Sequence, residues 1–196
     1  MKIRTQRDLF EKNPEHAPGR HTHGGAARIS RRKTFRPLNE KRPVHLVLKS
    51  THARGSLSFL APKNLLAVEK TLSDRARQFG VKVHHKEIMF NHIHLVASFS
   101  KRRGFQDFLR TVTALIARKV TGAKKGKPFG KRFWNDLAFT RVVFGRRDFR
   151  GLLGYMNKNR IEREVGAIAR TIVEEFEEAE RKARRRGCDV WEILDS

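Results

Sequence analysis

Between residues 43 and 163 the apolar positions switch between the two-residue period of a strand and the 3.6-residue period of a helix. "PVHLVLKS" (43–50) reads as a first strand. "APKNLLAVEKTLSDRARQFG" then spaces Leu65, Leu66, Val68, Leu72 and Ala76 as an amphipathic helix, which Gly80 ends. "VKVHHKEIMF" and "NHIHLVASFS" predict two strands joined tightly near Phe90 and Asn91 as a hairpin. Alternation in the second strand puts His92 and His94 on one side with Phe90 and Val96, and Ile93, Leu95 and Ala97 on the other. "FQDFLRTVTALIARKVTG" returns to helical spacing at Phe105, Phe108, Leu109, Val112, Leu115, Ile116 and Lys119. A basic Gly/Pro loop, "AKKGKPFGKR", leads to a fourth strand around Leu137 to Phe144. "RRDFRGLLGYMNKNR" predicts a helix with Asp148 at its start. A separate, longer helix is expected from Gly166 to Arg186, acidic first and basic last, an order that suits the helix dipole. "VWEILDS" is expected to fold back with Trp191, Ile193 and Leu194 packed onto the domain.

The order β-α-β-β-α-β, followed by helices, is that of an α+β, ferredoxin-like (split βαβ) fold. It predicts a four-stranded antiparallel sheet with helices on one face, plus C-terminal helices, and leaves the second face for a site. Residues 1–42, including "HAPGRHTHGGAARISRRKTFRP", show no periodicity and read as a basic, flexible arm. The folded domain is expected over 43–163 and a helical extension over 164–196.

Charge adds a partner class to this outline. The chain of 196 residues carries a formal net charge of +24, which repels itself unless it meets a polyanion, usually nucleic acid. Cys188 is the one cysteine, which excludes an intrachain disulfide and a cysteine-based zinc site. No apolar run approaches the roughly 20 residues that span a bilayer. The first residues lack the apolar middle of a signal peptide. A soluble, cytoplasmic protein without a membrane partner is the expectation, associated with the nucleoid when on DNA.

Two small patterns carry candidate chemistry. His92 and His94 on one strand face could both reach a metal ion, since neutral imidazole is a common ligand. A third ligand must then come from elsewhere. The same spacing in "HTH" (21–23) falls in the arm and is read as chance. Tyr155 is the single tyrosine, against 14 phenylalanines. Asn159 follows it by four residues, on the same helix face. A phenol is a weak nucleophile until it loses its proton or is assisted, and a metal on a scissile phosphate assists by withdrawing charge. Other chemistries find less support. "GAKKGK" is too short for a P-loop and has Pro128 where Ser or Thr should hold Mg²⁺. A histidine-triad hydrolase would need a third alternate histidine where Val96 stands, and no nucleophile elbow is present.

In this order, "NHIHLV", "GKRFWNDLAFTRVV" and "GYMNKNR" resemble the HUH endonucleases. More closely, they resemble the small single-tyrosine transposases of insertion sequences and their REP-associated relatives. The resemblance runs from about Pro43 to Arg163. It implies that His92, His94 and Asn159 bind one divalent ion, Mg²⁺ or Mn²⁺. It also implies that Tyr155 attacks a phosphate of single-stranded DNA, at a hairpin or palindrome, to form a 5′-phosphotyrosine link. The chain departs from the REP-associated pattern at Arg160, where those proteins often carry proline. Relatives include dimers and monomers, so the oligomeric state stays open.

Further basic positions are candidates for DNA contact: Arg102, Arg103, Lys124, Lys125, Lys127, Lys131, Arg132, Arg146 and Arg147. Phe129, Phe133 and Trp134 interleave with them, and such rings can stack on unpaired bases. Trp134 could equally belong to the core. The alternative from another class is a noncatalytic or domesticated nucleic-acid-binding protein of the same fold. An RNA-recognition sheet, however, would carry stacking aromatics where this strand carries His92 and His94.

Overall fold

A computed structural model describes residues 22–25 and 36–186. The chain forms two compact units, Met1–Leu153 and Gly154–Ser196. The first is built on strands β1 (Thr22–His23), β2 (Val44–Lys49), β3 (Val81–Ile88), β4 (His92–Phe99) and β5 (Phe139–Val142). Helices α1 (Pro62–Gln78) and α2 (Arg102–Thr121) complete it, with the first residues of α3 (Gly145–Arg186). The strands form one antiparallel sheet in the order β1-β5-β2-β4-β3. This is the α+β split βαβ arrangement that the element order predicts, with one strand more.

Alternation decides which face is core. Val44, Leu46 and Leu48 of β2 and Ile93, Leu95 and Ala97 of β4 are buried in one cluster. Val68, Leu72 and Ala76 of α1 and Phe105, Phe108, Val112 and Ile116 of α2 belong to the same cluster. Helices α1 and α2 therefore cover that face. The register pairs Lys49 with His92, Val47 with His94 and His45 with Val96, so these residues share the other face.

Local chemistry sets the element ends. Pro62 opens α1, where its missing N–H costs nothing. The buried Asn64 amide donates to Ser56 O (2.8 Å) and Ser58 O (2.9 Å), which fastens the preceding turn to the helix. Gly80, at φ +63°, adopts the left-handed conformation that ends α1, as its position in the sequence predicts. Leu66 differs from expectation: it is exposed, and Asn64 and Thr71 take places on the buried side. An amide and a hydroxyl that find backbone acceptors can be buried as readily as an aliphatic chain.

Two further expectations are corrected. The sheet has five strands because part of the basic arm joins it: Thr22 pairs with Arg141 and His23 with Thr140. Gly25 N–H donates to Leu137 O (2.8 Å), and the Arg36 guanidinium donates to Ala138 O (2.8 Å) and Thr140 Oγ1 (2.6 Å). A two-residue strand is too short to show a period, and what draws it in is the row of unpaired backbone groups along β5. Residues 1–21 and 26–35 of the arm lie outside the described residues, as does "VWEILDS". The two helices expected after β5 are a single helix of 42 residues. No proline interrupts it, and each internal glycine costs only about 1 kcal/mol relative to alanine.

Candidate metal centre

His92 and His94 stand side by side on β4, ring centroids 4.9 Å apart and nearly perpendicular. His92 is partly buried and His94 almost fully so. Burial disfavours the imidazolium. It pushes the His92 pKa down to about 4, with help from the Lys49 charge across the strand pair. It pushes His94 down to about 3, with His92 adding to the effect. Both rings are therefore neutral near pH 7 and keep a lone pair for a ligand.

Hydrogen bonds select which nitrogen carries it. His92 Nδ1 lies 2.7 Å from Asn91 Oδ1, an oxygen that can only accept, so Nδ1 holds the proton and Nε2 the lone pair. His94 Nδ1 lies 3.0 Å from Nε2 of His45, a fully buried histidine of β2. The His45 and His94 ring centroids are 5.3 Å apart and their planes 9° from parallel, so the nitrogens meet edge to edge. Burial holds the His45 pKa well below its ordinary value, with His94 and Arg141 adding to the effect. Sequence reasoning passed over His45. Its signal was the alternation of Val44, Leu46 and Leu48, which turns His45 to the side of His92 and His94. Glu87, also missed, is buried on β3 and pairs in register with His94.

Among the described residues, no three His, Cys, Asp or Glu side chains gather where one ion could bind. His92 and His94 nevertheless fit a metal as two neutral nitrogen donors, and the third donor would be of another type. An amide oxygen such as that of Asn159 has the right chemistry. Two imidazoles in the donor set suit Mn²⁺ better than the harder Mg²⁺. Tyr155 and Asn159 lie on α3 one turn apart, both partly buried, in the second unit of the chain.

The β5 end of α3 is anchored by a buried ion pair. Arg141 Nη1 donates to both Asp148 oxygens, at 2.9 and 2.8 Å. Asp148 also accepts the Phe144 N–H (2.7 Å), as an acidic residue in a first helical turn does.

The basic candidates divide by role. Lys124, Lys125, Lys127, Lys131 and Arg132 are exposed on the loop between α2 and β5, as are Arg146 and Arg147 at the start of α3. Arg103 pairs with Asp107 (3.0 Å), and the Arg102 backbone N–H donates to Glu40 (2.8 Å). The aromatics between them face inward. Phe133 is buried in the core, and the Trp134 indole N–H donates to Thr113 O (3.0 Å) while its ring packs near Phe59. They anchor the basic loop to the core.

No family model matches this chain, and no curated protein matches it in sequence. Among solved structures its fold does recur. One, described as the REP-associated tyrosine transposase bound to a REP hairpin, covers 68% of this chain and 74% of its own. It has 12% sequence identity and a TM-score of 0.52. Another, a presumed transposase from Deinococcus radiodurans R1, covers 65% of this chain and 97% of its own, with 18% identity and a TM-score of 0.40. At 12% identity the first likeness is one of fold. No helix among the described residues is long and apolar enough to cross a membrane.

Proposed function

We propose that this chain is a metal-dependent single-tyrosine transposase that cleaves and rejoins single-stranded DNA at hairpin sites. The observation that carries the reading is the pair of neutral imidazoles, His92 and His94, side by side on the sheet face away from α1 and α2. The sequence order of His-Ile-His and then Tyr-x-x-x-Asn supports it. So does the fold shared with a transposase structure that holds a REP hairpin.

In this reading His92, His94 and Asn159 hold one Mn²⁺ or Mg²⁺. When bound, the ion would withdraw charge from a DNA phosphate. The Tyr155 phenol gives up its proton as its oxygen attacks the phosphorus; the new Tyr–O–P bond keeps the 5′-phosphate of the downstream strand, and the P–O3′ bond breaks to release a 3′-hydroxyl that takes up a proton. Attack by a 3′-hydroxyl on the phosphotyrosine reverses the step on another strand and returns the phenol. Bond number is conserved, so rejoining needs no nucleotide cofactor. The exposed lysines of the α2–β5 loop supply sequence-independent phosphate contacts.

A covalent-capture assay with labelled single-stranded hairpin pools, with and without Mn²⁺, tests the proposal. A metal-dependent adduct that survives denaturation and maps to Tyr155 is expected. Tyr155→Phe should abolish it and leave DNA binding within about twofold, since only one hydroxyl is lost. Tight binding with no adduct across all pools and metals would instead favour a noncatalytic binding protein of this fold.

A further inference from the structure

His45 has no role in that chemistry, yet it is the one polar side chain buried on its strand. It is fully buried in the sheet, and among the described residues its Nδ1 has no hydrogen-bond partner. An apolar residue at this place would avoid the cost of burying that nitrogen, as Val44, Leu46 and Leu48 do on the core side of the strand. What His45 does make is one aligned contact, Nε2 to His94 Nδ1 at 3.0 Å, with the two ring planes only 9° apart. The contact parallels that of Asn91 with His92 Nδ1 at 2.7 Å.

A neutral imidazole carries one N–H and one lone pair. Two arrangements of the His45–His94 pair satisfy their shared contact. In one, His94 Nδ1–H donates to the His45 Nε2 lone pair, and His94 Nε2 carries a lone pair. In the other, His45 Nε2–H donates to His94 Nδ1, and His94 Nε2 carries a proton and cannot ligate a metal. We infer that His45 is a positioning residue for metal binding: its Nε2 accepts the His94 Nδ1–H and holds His94 as an Nε2 ligand, as Asn91 does for His92. This rests on the proposed metal site. It adds that each strand ligand is oriented by its own partner, one from the β3–β4 turn and one from β2. Such outer partners, when removed, typically weaken metal affinity by about 10–100-fold.

The test uses the full chain and Mn²⁺ alone, without DNA. In His45→Gln an amide oxygen can take the place of Nε2 as acceptor. In His45→Phe the ring shape remains and the acceptor is lost. Calorimetric titration should give wild-type affinity for His45→Gln within about threefold and a loss of about tenfold or more for His45→Phe. His45→Phe also leaves the buried His94 Nδ1–H without this acceptor and should melt lower than the wild type, so affinities are compared at a temperature where both variants are folded; a purely structural role would leave that affinity unchanged. Nitrogen-15 NMR of the Mg²⁺-loaded wild type should show the His94 proton on Nδ1. Wild-type Mn²⁺ affinity in His45→Phe, or a proton on His94 Nε2 in the loaded protein, overturns the assignment and leaves the metal site standing. Absence of Mn²⁺ binding by the wild type overturns both, and loss of binding in His92→Ala and His94→Ala separates the two cases.

Discussion

At the scale of single residues, the candidate site is a matter of protons. The His92 pKa lies near 4 and that of His94 near 3, against 6.5 for a free histidine. A metal competes with protons for the same lone pairs, so Mn²⁺ affinity should stay level as pH falls through 6.5 and drop only as it nears 4. Stability should respond earlier. The unfolded chain takes up protons once pH falls below 6.5, whereas the folded histidines do not until 4 or lower, so acid favours unfolding across that window. The shifts at His45 and His84 act in the same direction. Thermal melts at pH 7.5, 5.5 and 4.5 should show a falling midpoint, while Mn²⁺ titrations at the first two give one affinity. His92, His94, Tyr155 and Asn159 were legible as candidates because spacing alone assigns two residues to one face. Their partners were less so. Asn91 was visible only as a neighbour in sequence, and His45 comes to His94 through strand pairing, which local spacing does not report.

At the scale of elements, what the sequence made plain were the long periodic segments. Helices α1 and α2 and the β3–β4 hairpin occupy the spans that their apolar patterns predict. Short or unpunctuated elements were not legible: β1 is too brief to have a pattern, and α3 continues through glycines that read as a boundary. The inward turn of Phe133 and Trp134 was likewise hidden, because an aromatic next to lysines looks the same in sequence whether it faces solvent or core. The link with the sharpest energetic signature is Arg141–Asp148, with side chains 6% and 12% exposed. Removing one partner leaves a buried charge, so Asp148→Ala should cost about 3–5 kcal/mol in urea unfolding. A loss under about 1 kcal/mol would mean that the pair behaves as an exposed one.

At the scale of the whole molecule, the proposed function makes a charge of +24 the main determinant of encounter with DNA, more than any single contact. Affinity for single strands should fall steeply with salt, with a log–log slope of about −0.7 per phosphate neutralised. Changing Lys124, Lys125 and Lys127 together to alanine should flatten that slope by about 2 and weaken binding evenly across sequences. Fluorescence anisotropy at several salt concentrations reads both quantities. An unchanged slope would move the phosphate track away from the α2–β5 loop.

The two-residue strand β1 also bears on how this protein can be handled. It sits on the outer side of β5 and occupies backbone groups that would otherwise face solvent. A chain shortened to begin near Pro43 keeps every residue of the proposed site, yet its sheet ends in the bare strand "FTRV". Such an edge is a template for intermolecular strand addition. The shortened protein should therefore be the less soluble one, although the part removed is rich in charge. Trimming a leader whose sequence shows no periodicity, a routine step before crystallisation, would here create the sticky surface it is meant to avoid.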